Sequence, residues 1–240
     1  MKESSSISST RLWYDTRYAT DGFEAQRRYP NEEMLRFLGR NLFLIPSRQR
    51  RKIRVLELGC GSCANLWVVA REGFNAYGID LSTAAIELGD QMLNEWDVSA
   101  NLKIGSMTDL PYDDDFFDVV LDVFASYCLN EGDISLCLGE VARVLKPKGK
   151  FFSYVPSKLS DVFQDNSPAE MLDPSTLRGI YREGAPFEGN HYPFRFVYPG
   201  EYKEILTNAG FEVTYLETVT RTYHQREEGF QFVVAEAMTR

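Results

Sequence analysis

The chain is poor in metal-ligating residues, with two histidines and four cysteines in 240 residues. Cys60 and Cys63 form a C-x-x-C, but neither Cys128 and Cys137 nor the histidines supply a second pair at zinc-site spacing. No metal is therefore expected. The C-x-x-C leaves two readings: a redox pair at a helix start, or small-residue packing inside a glycine loop, of which packing is favoured. Positive charge is also short. Twenty-six Lys and Arg against 35 Asp and Glu give a net charge of −9, which argues against nucleic acid as a partner. The basic cluster Arg48, Arg50, Arg51, Lys52 and Arg54 has no interleaved aromatics and reads as a solvated linker. No run approaches the roughly 20 apolar residues of a membrane span, and the polar start Lys2-Glu3-Ser4-Ser5-Ser6 lacks a signal-peptide core. The expectation is a cytoplasmic protein with no membrane partner. Nothing fixes the oligomeric state, and a homodimer is compatible with the sequence.

With 44% hydrophobic and 25% charged residues, the chain can bury a full core. Residues 30–240 are expected to form one domain, preceded by a tail and an aromatic cover segment over 1–29. Residues 1–11 are Ser-rich and expected to be disordered. Strand-like runs alternate with helical patterns from Ile53 to Val155, with Ser82 and Asp133 as helix caps. Such alternation predicts an α/β fold, a parallel sheet with helices on both faces. The rhythm breaks over 156–199, which holds six prolines and seven aromatics and predicts an ordered insertion over a site. A helix from Glu201 to Ala209 follows. The last two strands, Phe211–Leu216 and Phe230–Ala237, have no room for a crossover helix and should be antiparallel.

The stretch Val55-Leu56-Glu57-Leu58-Gly59-Cys60-Gly61 is a strand followed by a Gly-x-Gly turn and a helix N-terminus, a corner that brings backbone amides close to a polar ligand. Asp80 ends the second strand 19 residues after Gly61, where an acid can accept both hydroxyls of an adenosine ribose. Glu57 is sharper. A carboxylate in an apolar strand is costly unless paired. A pyrophosphate would be repelled by it, whereas a sulfonium nucleoside carrying an ammonium would not.

These residues, with Tyr77-Gly78-Ile79-Asp80-Leu81-Ser82, resemble the first two motifs of the class I S-adenosylmethionine-dependent methyltransferases of small-molecule type. Gly105-Ser106-Met107-Thr108-Asp109-Leu110-Pro111-Tyr112, Phe117-Asp118-Val119-Val120-Leu121-Asp122 and Val144-Leu145-Lys146-Pro147-Lys148-Gly149-Lys150 resemble the next three, in order. The resemblance implies a Rossmann-like, doubly wound, mostly parallel seven-stranded sheet with an antiparallel last strand and a substrate cap at 156–199. It implies S-adenosylmethionine as cofactor. Gly59, Cys60 and Gly61 would pass under its methionine part, with Glu57 supporting the loop and the amino group. Asp80 would take the ribose hydroxyls, Leu81 would lie on adenine, and Ser106 and Met107 would flank its edge. Asp122 would sit near the ammonium, while Trp13 and Tyr18 would cover the carboxylate or methyl end. Two departures stand out: Cys63 replaces a frequent third glycine, and Ser106 a frequent Asp.

Methyl transfer needs an aligned nucleophile and, for a hydroxyl acceptor, a base. His191 in the cap and Tyr127 after the fourth strand are the candidates, His224 sitting in a polar loop. The aromatic cap suggests a small organic acceptor. Two other readings compete: an NAD(P)-dependent oxidoreductase on the same sheet, and a non-catalytic cofactor-binding regulator.

Overall fold

The computed structural model describes residues 5–181, 187–222 and 229–239. Among the described residues ten strands and eight α-helices follow one another. Helices α1 (Ser5–Asp21), α2 (Glu32–Asn41) and α3 (Ser47–Arg50) precede β1 (Arg54–Leu58). Then come α4 (Leu66–Arg71), β2 (Asn75–Asp80), α5 (Thr83–Glu95), β3 (Asn101–Ile104), β4 (Phe117–Val123), α6 (Glu131–Val144) and β5 (Leu145–Pro156). The insertion carries α7 (Asp161–Gln164), β6 (Glu170–Asp173), β7 (Thr176–Arg178) and β8 (Phe194–Arg195). The chain closes with α8 (Pro199–Asn208), β9 (Phe211–Arg221) and β10 (Phe230–Thr239).

Seven strands form one sheet in the order β3-β2-β1-β4-β5-β10-β9. The first five are parallel, and β10 runs antiparallel to both β5 and β9, as the missing crossover predicts. Alternation along the strands feeds two cores. On one face Val55, Val119, Leu121, Phe152 and Val234 pack under α2, α4 and α5. On the other, Leu56, Leu58, Val120, Phe151 and Val233 pack against α6, α8 and the insertion. Glu57 therefore shares the first face with Val55, and Asp122 the second with Val120. The strand order reverses between β1 and β4. In an open α/β sheet that reversal leaves a crevice at the strands' carboxyl ends.

Local chemistry explains most boundaries. The Asn31 side chain accepts from the amides of Glu33 and Met34 and starts α2, and Ser82 Oγ accepts from the Ala85 amide and starts α5. The cap of α6 differs from expectation: Asn130 Oδ1 accepts from the Asp133 amide, so Asp133 lies inside the first turn. The N-terminus differs too. Residues 5–11, expected to be disordered, belong to α1, where Ile7 and Thr10 are buried and the helix packs on α5. Residues 1–4 fall outside the described residues. Within the insertion β6, β7 and β8 form a small antiparallel sheet, and residues 182–186 fall outside the described residues. No described helix is long and apolar enough to cross a membrane.

The sheet depends on its central aromatic packing. Phe152 is fully buried on β5 with Phe37 of α2 at 5.1 Å between ring centroids. Phe152→Ala should destabilise the protein by about 3–5 kcal/mol, read from the urea midpoint at unchanged m-value.

Candidate active site

The crevice between β1 and β4 opens into a cavity of about 80 Å³. Its floor is the glycine loop. Gly59 and Gly61 both have left-handed backbone, with φ of +54° and +50°. A Cβ on Gly59 would stand 2.6 Å from the Ala125 Cβ, and one on Gly61 2.7 Å from the Tyr18 hydroxyl. Neither position tolerates a side chain. Cys63 is left-handed as well, at φ 61°, which accounts for glycine being frequent there among the proteins this loop resembles. Its thiol and that of Cys60 are buried against Gly89 and Gly78, where an added Cβ would meet each sulfur at 2.8 Å. The C-x-x-C is thus packed into two glycine notches. A hydrogen bond to Cys63, then burial, pushes the Cys60 thiol well above its ordinary range.

Glu57 is 1% exposed. Its Oε1 accepts from Asn65 Nδ2 at 2.7 Å, while Asn65 Oδ1 accepts from Arg27 Nη2 and the Asn31 amide, each at 2.8 Å. The other carboxylate oxygen, Oε2, is buried with no hydrogen-bond partner among the described residues. Burial pushes the carboxyl up to about 8, against the pull of Asn65 and Arg27. Asp80 holds the loop directly: Oδ2 accepts from the Gly61 amide at 2.8 Å and Oδ1 from the Ser82 amide at 2.9 Å. Burial raises Asp80, partly offset by those two amides.

Asp122 shapes the opposite wall without lining the cavity. It accepts from the amides of Ala125 and Ser126, from Ser126 Oγ, and from Ser153 Oγ at 3.2 Å. Those bonds turn the chain after β4 so that Phe124, at φ 59°, Ala125, Tyr127 and Cys128 face the cavity. Leu81 and Met107 line it too. Ser106 does not: its Oγ pairs with Thr108 Oγ1 at 2.7 Å and accepts from the Thr108 amide.

The roof is α1. Thr10, Tyr14 and Tyr18, four residues apart on one helical face, line the cavity, and Ser82 Oγ donates to Asp15 at 2.6 Å. Sequence reading named Tyr18 but passed over Tyr14 and Thr10. With the segment read as helical, their i, i+4, i+8 spacing would have found them. Trp13 points elsewhere, edge-on to His191 at 5.4 Å and to Tyr192 at 5.7 Å between centroids.

Three hydroxyls from three elements converge at one end of the cavity. Tyr14 of α1 is hydrogen-bonded to Tyr127, and Tyr192 of the cap lies 3.1 Å from Tyr14 and 3.4 Å from Tyr127. Burial raises all three, Tyr192 to about 12. They are neutral donors at physiological pH. His191 is exposed on the cap, and His224 falls outside the described residues.

The comparisons agree with this geometry. Residues 55–149 match the family model described as a methyltransferase domain. Over those residues the chain is similar to methyltransferase domains, whose cofactor is S-adenosylmethionine. A putative methyltransferase of Bacillus subtilis, YqeM, is 28% identical over 203 residues, covering 75% of this chain and 81% of that protein. The demethylmenaquinone methyltransferase of Tropheryma whipplei is 37% identical over 98 residues, covering 40% of this chain. The chain spans 38% of that protein's length and 34% of a nematode sterol 4-C-methyltransferase's. In fold, the 1,6-didemethyltoxoflavin-N1-methyltransferase of Burkholderia thailandensis, solved with S-adenosylhomocysteine, superimposes with a TM-score of 0.62 at 15% identity, over all of this chain and 92% of that one.

The residues fit the domain's cofactor. The loop has no room for a Cβ at two glycines, and a buried carboxylate oxygen beside it lacks a partner. The raised Glu57 carboxyl has a stability consequence. Between the usual carboxylate range and about pH 8, the unfolded chain has released a proton that the folded chain retains. Stability of the ligand-free protein should fall as pH rises from about 5 to 8 and level off above. Glu57→Gln should flatten that fall in chemical denaturation series; an identical slope in both proteins would mean that Glu57 ionises freely.

Proposed function

We propose that the protein transfers the methyl group of S-adenosylmethionine to a small-molecule acceptor held between the cavity and the cap. The observation that carries this reading is the unpartnered oxygen of buried Glu57 beside the left-handed Gly59–Gly61 turn. A buried carboxylate with a free oxygen suits a cation, and the cofactor's ammonium is one. When bound, S-adenosylmethionine supplies a methyl group activated by the sulfonium, whose carbon–sulfur bond breaks as the acceptor's lone pair bonds to carbon.

The chain's own residues then have distinct tasks. Glu57, steadied by Asn65, holds the ammonium and keeps the loop's entry rigid. Asp80 fixes the loop through the Gly61 amide and offers its carboxylate to the ribose hydroxyls. Leu81 and Met107 bracket the adenine, and Cys60 contributes its backbone to the cradle. Ser106 stiffens the adjoining turn through Thr108. Asp122 sets the Phe124–Tyr127 turn from behind. Tyr18 closes over Gly61, and Trp13 anchors the roof to the cap.

Tyr14, Tyr127 and Tyr192 donate hydrogen bonds to the acceptor and align its nucleophile, a task that neutral phenols perform and a base does not. Where the acceptor must lose a proton, His191 on the exposed side of the cap is the group to receive it. The aromatic walls formed by Phe124, Tyr127 and Phe194, with centroids 4.2 and 4.5 Å from Tyr127, favour a small organic acceptor.

Calorimetric titration with S-adenosylhomocysteine and with NAD(H) tests the cofactor: binding of the nucleoside alone is expected, and binding of the dinucleotide alone would overturn the reading. Gly61→Ala should weaken S-adenosylhomocysteine binding by at least about tenfold, the Cβ and the positive φ acting together. Acceptor profiling with labelled cofactor against metabolite pools tests the transfer. On the acceptor so found, Tyr127→Phe should lower kcat roughly tenfold or more with cofactor affinity unchanged. A loss of cofactor affinity instead would make Tyr127 part of the cofactor wall.

A further inference from the structure

The strand β8 divides its side chains between two surroundings. Phe194 and Phe196 face the aromatic core, with Phe194 against Phe124 and Tyr127 and Phe196 against Phe163. Arg195 lies between them in sequence, and its charge is felt by Glu201 and Tyr202 of α8. It is 6% exposed, and its Nε and Nη1 are buried without a hydrogen-bond partner among the described residues. Thr176, its cross-strand neighbour on β7, is fully buried, and its Oγ1 is likewise unpartnered. Three buried polar atoms on two paired residues are thus left open.

A guanidinium stays charged in any protein environment, so burial without partners carries a large desolvation penalty unless an anion meets it. The carboxylate at hand, Glu201, is already committed. It accepts from Lys158 Nζ at 2.9 Å, from the Tyr198 amide at 3.3 Å and from Ser175 Oγ at 3.4 Å. Burial raises Glu201, but Lys158, the Tyr198 amide and the charge of Arg195 outweigh it and leave it below the usual carboxylate range. Lys158 is itself 6% exposed. Glu201 thus pairs with one buried cation, Lys158, and Nε and Nη1 of Arg195 have no hydrogen bond among the described residues.

We propose that Arg195 and Thr176, with Lys158 beside them, form a subsite for one small oxyanion, a carboxylate or phosphate group, at the root of the cap. Planar guanidinium and hydroxyl donors suit such a group, and the surrounding protein excludes water that would otherwise compete. The subsite lies on the opposite side of β8 from the tyrosine hydroxyls. It rests on burial and missing partners alone and holds whether or not the chain transfers methyl groups. The anion is either a charged group on the acceptor or a free ion.

Thermal unfolding of the full chain in sodium phosphate and in sodium acetate, each against sodium chloride at equal ionic strength, tests it. At least one of the two should raise the wild-type Tm saturably, by about 2 °C or more. Arg195→Gln should abolish that rise and Thr176→Val should shrink it. If Arg195→Gln does not fold, Thr176→Val decides. No saturable rise in wild type, or an equal rise in the folded variants, overturns the subsite. S-adenosylhomocysteine titration of the same variants reports the cofactor site separately and should be unchanged. A KM raised tenfold or more in Arg195→Gln for carboxylate- or phosphate-bearing acceptors, and not for neutral ones, assigns the anion to the acceptor. An unchanged KM with a lost thermal shift assigns it to a free ion, and both results support the site.

Discussion

The architecture turns on a buried carboxyl group that no cation among the described residues touches. Glu57 sits on a central strand with hydrophobic neighbours on both sides, and its nearest help is indirect: Asn65 passes on the influence of Arg27 without bringing the charge into contact. Everything around that strand end serves to keep the carboxylate fixed and incompletely satisfied. The two glycines let the chain leave β1 without a side chain in the way, Asp80 ties the loop to the next strand, and α2 docks through the Asn31 amide on the same Asn65. In the proposed function, affinity for the cofactor's cation is stored as a polar group that folding has left short of partners among the described residues.

The site is also assembled from both faces of the sheet. Because side chains alternate, Glu57 looks toward the layer containing α2 and α4, and Asp122 toward the layer containing α6 and α8. Asp122 connects through Ser153 to the hydroxyl of Tyr202 on α8, 2.6 Å from Ser153 Oγ. The loop after β4 is therefore held from behind by the layer that carries the cap. In the proposed function the first layer sets the cofactor side and the second the acceptor side, where β1 and β4 diverge.

The sheet was legible in the sequence because buried parallel strands are apolar runs and the helices between them carry caps. Glu57 and Asp80 were legible for the opposite reason, as acids where apolar residues belong. What escaped had no such contrast. Helix α1 is mostly polar and presents a face of Thr10, Tyr14 and Tyr18, so no apolar stripe marks it as a helix. The start of α6 offers both Asn130 and Asp133 as caps, and only backbone geometry chooses between them. The cap's strands are two to four residues long, too short for alternation to show. Nothing in the sequence marks Arg195 as buried; its burial beside Thr176 of β7 is a tertiary fact.

The roof has an optical consequence. The protein has three tryptophans. Trp67 and Trp96 stack on each other at 4.0 Å, and the second also meets Tyr29, so both emit from surroundings that the cavity does not share. Trp13 rides on α1 with its ring edge-on to His191 and Tyr192, so its ring neighbours belong to the insertion. An imidazole quenches a nearby indole more strongly once it is protonated. The intrinsic fluorescence of this chain thus contains a channel that reads the contact between roof and cap, and that channel grows brighter when the two separate.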